Sequence, residues 1–125
     1  MKCLVVDDSA TMRRIVVNAL KSIGYDDVVE AADGNDALQK CDASIELVIT
    51  DWNMPVMGGL ELVKGLRGKP DHAKTPILMV TTRSVKEDIL QAVEAGVSSY
   101  ILKPFTPQVL KEKIDQILSL ASGSA

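Results

Sequence analysis

The length, composition and charge of the chain limit its architecture and its partners. Its 125 residues suffice for one domain, and 46% are hydrophobic but only 3% aromatic, so an aliphatic core is expected. A net charge of −3 argues against a surface that binds a nucleic-acid backbone. No apolar run forms a secretory signal or approaches the roughly 18 residues of a membrane span. We therefore expect one cytoplasmic domain, residues 1–125, that is monomeric and binds neither nucleic acid nor membrane.

Five short apolar runs, rich in Val, Ile and Leu, alternate with amphipathic segments along the chain. In order, they cover residues 3–6, 28–29, 47–49, 77–80 and 100–102, and the second is the weakest. Their apolar residues are nearly continuous, which is typical of strands buried on both faces of a parallel sheet. We therefore predict five parallel strands.

The amphipathic segments between the runs predict helices. The first, 10–23, has apolar residues at the spacing of one helical face, with Ser9 placed to cap its start and Gly24 to end it. The second and third are predicted at 34–41 and 59–66.

The last two predicted helices carry recognisable start signals. The fourth opens with the capping-box spacing of 84–87 and ends at Gly96, and the fifth opens with Thr106 followed by Pro107. Five strand–helix pairs in succession predict an α/β fold, in which a five-stranded parallel sheet carries helices on both faces.

The cysteines and the single histidine predict no separate site. Neither Cys3 nor Cys41 has a histidine or second cysteine at metal-ligand spacing, so both are interpreted as reduced, structural thiols. His72 lies in a polar stretch, and we expect it to be a solvated loop residue.

Polar side chains follow four of the five predicted strands. Because parallel strands end at one edge of a sheet, these side chains should meet at a single rim, where open α/β sheets hold their ligands. They are, in strand order, Asp7 and Asp8, Asp51, Thr81 and Thr82, and Lys103.

This combination of groups favours phosphoryl chemistry. Two carboxylates about 4 Å apart repel by roughly 4 kcal/mol at an effective dielectric of 20, so the protein either protonates one of them or binds a cation. An all-oxygen ligand set suits a hard ion, Mg²⁺ in preference to Ca²⁺. Lys103 and the hydroxyl of Thr81 can hold one further oxyanion. Taken singly, these residues fit a helix cap, a loop or a strand end, but their joint placement favours a phosphoryl-transfer site.

Five segments resemble the motifs of the receiver domain of bacterial two-component response regulators, and the resemblance covers essentially the whole chain. It implies the flavodoxin-like strand order 2-1-3-4-5. The closest resemblance is to the stand-alone receivers of chemotaxis. The segments are Val5-Val6-Asp7-Asp8-Ser9, Asp51-Trp52-Asn53-Met54-Pro55, Met57-Gly58-Gly59, Thr81-Thr82 and Tyr100-Ile101-Leu102-Lys103-Pro104-Phe105.

The resemblance implies roles for the rim residues. Asp51 would be the phosphoacceptor. Asp8, Asp51 and the backbone carbonyl of Asn53 would bind Mg²⁺, with Asp7 acting through water. Lys103 would hold the phosphoryl group.

The resemblance also implies a switch and its partners. Thr81 would move toward the phosphoryl group, Tyr100 would change rotamer, and the peptide between Lys103 and Pro104 would be cis. The phosphodonor would be a histidine kinase, and the target a flagellar motor switch protein or another protein. The chain would be a phosphoacceptor and not an enzyme, although it would assist its own phosphorylation and dephosphorylation.

Some positions depart from the family pattern or have two interpretations. Gly58-Gly59 replaces an acidic residue plus glycine, which predicts a looser start of the third helix. Arg83 flanks the expected phosphoryl position, so it bears on the rate of dephosphorylation, unless it points to solvent. Met12, Arg13 and Arg14 would help dock the donor, or the two arginines form a solvated basic face.

Other functions fit parts of the pattern. One is a stand-alone receiver in a phosphorelay unrelated to chemotaxis. Another is a Mg²⁺-dependent phosphatase with an aspartyl nucleophile, but such enzymes carry a second aspartate where this chain has Asn53. A pseudo-receiver that only binds proteins would be expected to have a broken acidic site.

Overall fold

The computed structural model of the chain describes residues 2–52, 58–81, 86–103 and 105–122. Five parallel strands form one sheet in the order β2-β1-β3-β4-β5, which confirms the predicted fold. The strands are β1 Lys2–Val6, β2 Asp27–Ala31, β3 Leu47–Asp51, β4 Ile77–Thr81 and β5 Ser99–Leu102. The helices are α1 Ala10–Ser22, α2 Gly34–Lys40, α3 Gly59–Arg67, a short 3₁₀ helix Pro70–His72, α4 Lys86–Ala95 and α5 Pro107–Ser122.

The core has two layers, one on each face of the sheet. Alternate residues of β1 point to opposite faces: Leu4 packs with the α2, α3 and α4 side, whereas Val5 packs with α1 and α5. Both are fully buried, which explains why the strand sequences are apolar without alternation. Each such side chain contributes about 1.5–3 kcal/mol to folding.

The helix ends follow from local signals in the sequence. The hydroxyl of Ser9 accepts a hydrogen bond from the amide of Met12 at 3.3 Å, and Gly24, just beyond α1, has a φ of 103°. The hydroxyl of Thr106 accepts one from the amide of Val109 at 3.2 Å, which confirms the predicted cap of α5. The predicted start of α4 at Ser84 lies outside the described residues.

The register of the sheet brings the strand ends together. Val6 pairs with Thr50, Asp51 pairs with Val80, and Thr81 pairs with Leu102. The residues that end or follow β1, β3, β4 and β5 are therefore neighbours along one edge.

The prediction that His72 is a solvated loop residue is wrong, because the residue is only 1% exposed. The 3₁₀ turn directs the ring inward, where Nε2 lies 2.9 Å from the carbonyl oxygen of Asp42 and 3.5 Å from Sγ of Cys41. Nδ1 lies 2.9 Å from the hydroxyl of Thr75. The ring thus satisfies polar groups between the end of α2 and the start of β4.

The two cysteines are free and buried, as predicted. Burial raises the pKa of both Cys3 and Cys41 to about 11, so both remain protonated and unreactive at neutral pH. Among the described residues, no helix has the length and apolarity to cross a membrane.

Candidate functional site

Three carboxylates meet at the edge of the sheet where β1 and β3 end. Asp7 and Asp8 directly follow β1, and Asp51 is the last residue of β3. One oxygen from each carboxylate lies within 4.8 Å of those of the other two. The structure thus brings together the three acidic residues that the sequence placed at the rim.

Lys103 joins these carboxylates from the end of β5. Its Nζ lies 2.9 Å from Oδ1 of Asp51 and 3.8 Å from Oδ2 of Asp7. Its backbone amide donates to the carbonyl of Thr81 at 2.9 Å, so the pairing of β4 with β5 extends to the lysine. Within the part of the chain that the structure describes, one ammonium faces three carboxylates, which leaves the cluster with an excess of negative charge.

The position of Asp7 makes its charge unfavourable. The residue is only 3% exposed, and burial raises the pKa of its carboxyl, with further upward contributions from Asp51 and Asp8. A hydrogen bond from the amide of Ser9, at 2.9 Å, and the charge of Lys103 oppose that rise. A bound cation would therefore stabilise the ionised form of this carboxylate.

The donor set fits a divalent cation. The cluster consists of carboxylate oxygens from three residues, with no sulfur or imidazole ligand, and hard ions such as Mg²⁺ and Ca²⁺ prefer oxygen ligands. The fourth ligand expected from the sequence, the backbone carbonyl of Asn53, lies outside the described residues. The cluster as described can hold a metal ion with open positions left for other oxygens.

Thr81 and Tyr100, the residues expected to switch, lie on β4 and β5. Thr81 is buried and ends β4 at the rim. Three further residues of the predicted site lie outside the described residues, namely Thr82, Arg83 and Pro104. Tyr100 is half-buried, and the ammonium of Lys113 lies 5.5 Å from its ring centroid.

A surface pocket of about 320 Å³ adjoins Tyr100 between β5 and α5. Leu102 and Val109 in its lining are 41% and 38% exposed. This pocket gives Tyr100 an open volume next to its ring and a partly apolar surface around it. The pocket is lined by Tyr100, Ile101, Leu102, Phe105, Thr106, Val109 and Lys113.

Gly59 allows α3 to begin directly beside the end of β3. A Cβ at this position would collide with the carbonyl of Asp51 and would lie 3.1 Å from Cα of Trp52. The amide of Gly59 donates to the carbonyl of Trp52 at 2.8 Å, while Gly58 provides no side-chain cap. Sequence reasoning treated this pair of glycines only as a looser helix start and missed the close approach.

Arg13 has a contact with the site that neither sequence interpretation anticipated. It was expected either to dock a partner or to form a solvated face with Arg14. Its Nη1 instead donates a hydrogen bond of 2.7 Å to the backbone carbonyl of Asp7, whereas Arg14 is exposed.

Comparison with known proteins identifies one family along most of the chain. Residues 3–115 match the model of the response regulator receiver domain. The chain is 53% identical over 125 residues to the chemotaxis protein CheY homolog of Campylobacter jejuni strain 81-176, covering 98% of this chain and 96% of the relative. It is also 53% identical over 120 residues to chemotaxis protein CheY1 of Helicobacter pylori strain 26695, covering 94% and 97%.

Solved structures give the same result. The chemotaxis protein CheY4 of Vibrio cholerae superposes with a TM-score of 0.85 and 39% identity, covering 93% of this chain and 97% of that one. A signal receiver domain of a histidine kinase from Syntrophus aciditrophicus has a TM-score of 0.81 and 30% identity, covering 94% and 89%.

Proposed function

This chain belongs to the response regulator receiver domain family, and we propose that residues 1–125 form a single-domain response regulator that accepts a phosphoryl group on Asp51. The 2.9 Å contact between Lys103 and Asp51, beside a cluster of three carboxylates, carries this proposal. In this assignment Asp51 is the nucleophile and Lys103 is the cation that lies next to it.

The proposed transfer uses the groups at the rim. A carboxylate oxygen of Asp51 attacks the phosphorus of a phosphohistidine on a histidine kinase. The P–N bond breaks, its electron pair returns to the imidazole, and an acyl phosphate forms on Asp51. Lys103 then pairs with an oxygen of the new phosphoryl group.

The proposed metal is Mg²⁺, held by Asp8, Asp51 and the carbonyl of Asn53, with Asp7 acting through water. When bound, the ion would neutralise charge on the phosphoryl oxygens and on the carboxylates. The protein's own residues supply the ligands and the position of the nucleophile. We assign no turnover of other substrates, and the chain only assists its own phosphorylation and dephosphorylation.

The output is a change at the face that contains Tyr100. The phosphoryl group attracts Thr81 and Lys103, and the volume that Thr81 leaves allows Tyr100 to change rotamer. Converting a 1:99 mixture of states into 99:1 takes about 5.5 kcal/mol. Charge-assisted hydrogen bonds contribute about 1.5–3 kcal/mol each, so about two to four of them suffice.

Similarity to proteins named as chemotaxis proteins supports a role in chemotaxis, with a flagellar motor switch protein as the target. The match covers 96% of the length of the Campylobacter relative, which supports the same role for this receiver. We place it in the cytoplasm as a monomer. Loss of swimming bias in a deletion strain would support this role, and an unchanged bias would point to another phosphorelay.

Labelling with radioactive acetyl phosphate and Mg²⁺ tests the phosphoacceptor. Asp51→Asn should abolish the label, because an amide does not form an acyl phosphate. Asp26→Asn, at an exposed aspartate in the turn before β2, removes the same charge and should keep full labelling. Stoichiometric label on Asp51→Asn would assign the acceptor to another residue.

A further inference from the structure

The guanidinium of Arg13 connects the acidic site with β2. Its Nη1 donates a hydrogen bond of 2.7 Å to the backbone carbonyl of Asp7, and its Nε lies 3.4 Å from Oε1 of Glu30. The side chain of Arg13 is 18% exposed, whereas that of Glu30 is 52% exposed. The arginine is therefore partly shielded from water where it contacts the end of β1.

The carbonyl that Arg13 contacts belongs to the peptide that links Asp7 to Asp8. Three other contacts hold Asp7. Its amide donates to the carbonyl of Ala31 at 3.1 Å, and its carboxylate accepts from the amide of Ser9 at 2.9 Å and lies 3.8 Å from Nζ of Lys103. Of these four contacts, only the one from Arg13 acts on the peptide that carries Asp8. Because a peptide unit is planar, a donor that fixes its carbonyl also fixes the direction in which the next residue leaves.

We propose that Arg13 is a positioning residue for the divalent-cation site, and that it orients the Asp7–Asp8 peptide so that both carboxylates face one ion. This inference rests on the proposed function, because it assumes that the cluster binds Mg²⁺. Groups behind metal ligands commonly orient the ligands in this way. Arg13 would contribute to metal binding without touching the metal.

The positive charge of Arg13 disfavours metal binding, whereas its positioning contact favours it. A positive group beside the cluster repels a cation, so removing that charge alone would tighten Mg²⁺ binding. Removing a positioning contact would weaken it. The sign of the change therefore separates the two roles.

Arg14 provides a control with the same charge. It is the next residue on α1, it is exposed, and within the described residues the structure records no hydrogen bond or ion pair for its side chain. The dissociation constant of Mg²⁺ can be measured by calorimetry and by the fluorescence of Trp52, the residue after Asp51. Arg13→Met should raise that constant about tenfold, the lower end of the usual loss for groups behind metal ligands. Arg14→Met should leave it unchanged or lower it.

A Mg²⁺ dissociation constant in Arg13→Met that is equal to or below that of the wild-type protein overturns the proposal. If the wild-type protein binds no Mg²⁺, the proposed function fails and this inference fails with it. If Arg13→Met does not fold, Arg13→Lys replaces it, since one ammonium keeps the charge but cannot span Asp7 and Glu30. The Mg²⁺ dissociation constant of Arg13→Lys should rise by a smaller factor than that of Arg13→Met, and an unchanged constant overturns the proposal.

The metal-free protein offers a second measurement. Loss of the donor to the Asp7 carbonyl should move the amide nitrogen resonance of Asp8 in Arg13→Met. The same resonance should stay in place in Arg14→Met. An Asp8 resonance that does not move in Arg13→Met also overturns the proposal.

Discussion

The ammonium of Lys103 lies 2.9 Å from Oδ1 of Asp51, although the two residues are 52 positions apart in the chain. The pairings of β3 with β4 and of β4 with β5 bring them together. In this structure the lysine neutralises part of the acidic cluster. The same ammonium would be available to a phosphoryl oxygen once Asp51 is modified.

We expect Lys103→Met to separate phosphorylation from switching. Asp51 keeps its nucleophilic oxygen, so labelling by acetyl phosphate should persist. The phosphoryl group then lacks its cationic partner, so beryllofluoride with Mg²⁺ should shift the ring resonances of Tyr100 in wild type but not in this variant. Lys74→Met, at an exposed site, should behave as wild type. A normal Tyr100 response in Lys103→Met would remove the lysine from the switch.

The features that sequence analysis predicted correctly depend on neighbouring residues. A polar residue directly after an apolar run, as at Asp51 and Lys103, marks the end of a buried strand. Serine before a helical stripe and the pair Thr106-Pro107 are caps that act within one turn. Asp33 caps α2 by accepting from the amide of Asp36 at 2.8 Å, and the same local signal could have identified it.

The features that sequence analysis missed depend on tertiary contacts, some of them between groups distant in the chain. The ring of His72 is buried next to the carbonyl of Asp42, which lies 30 positions earlier in the chain and pairs with its Nε2. Arg67 donates to the carbonyl of Gly96, 29 positions later, and the contact of Arg13 with Asp7 needs α1 folded back on β1. Position 59 is glycine because the backbone at the end of β3 leaves no room for a Cβ, and no sequence pattern around Gly59 reveals that close approach.

Asp7→Asn should stabilise the metal-free protein at neutral pH. Burial raises the pKa of Asp7, so the folded state binds its proton more tightly than the unfolded state does. The wild-type protein should therefore lose stability as pH rises from 3.8, the unfolded value, through the folded value. The amide carries no charge to repel its neighbours, and we expect a gain of about 1 kcal/mol.

Urea unfolding in EDTA at several pH values measures this effect. Asp71→Asn, at an exposed aspartate far from the cluster, should leave the pH dependence unchanged. Adding Mg²⁺ should reduce the advantage of Asp7→Asn, because the ion stabilises the wild-type carboxylates. A variant less stable than wild type at pH 7 in EDTA would contradict the assignment of net repulsion at Asp7.

Gly59→Ala should destabilise the protein and displace the backbone at Asp51. The added Cβ would press on the carbonyl of Asp51 and on Cε of Met79, 3.1 Å away, so α3 or the end of β3 must shift. Overpacking of this kind costs about 1–3 kcal/mol. Gly68→Ala is the control: its backbone φ of −76° suits any residue, and its Cβ would meet atoms no closer than 3.5 Å. Equal urea midpoints for the two variants would argue against the close approach.

Arg67→Met should destabilise the fold without affecting Mg²⁺ affinity. Its guanidinium donates to the carbonyls of Gly96, His72 and Thr75, at distances of 2.7–3.0 Å, and so ties α3 to the starts of β4 and β5. Hydrogen bonds that involve a charged group contribute about 1.5–3 kcal/mol each, and the freed carbonyls can recover part of this by binding water. We therefore expect a loss of about 2–4 kcal/mol.

Lys64→Met, on the same helix but exposed, removes the same charge and should cost less than about 0.5 kcal/mol. Urea unfolding compares the two variants, and Trp52 fluorescence measures the Mg²⁺ affinity of the folded fraction. These contacts lie at the amino-terminal edge of the sheet, opposite the acidic cluster, because β4 and β5 begin there. A large change in Mg²⁺ affinity in Arg67→Met would mean that the two edges of the sheet are coupled, whereas independent edges predict a loss of stability alone.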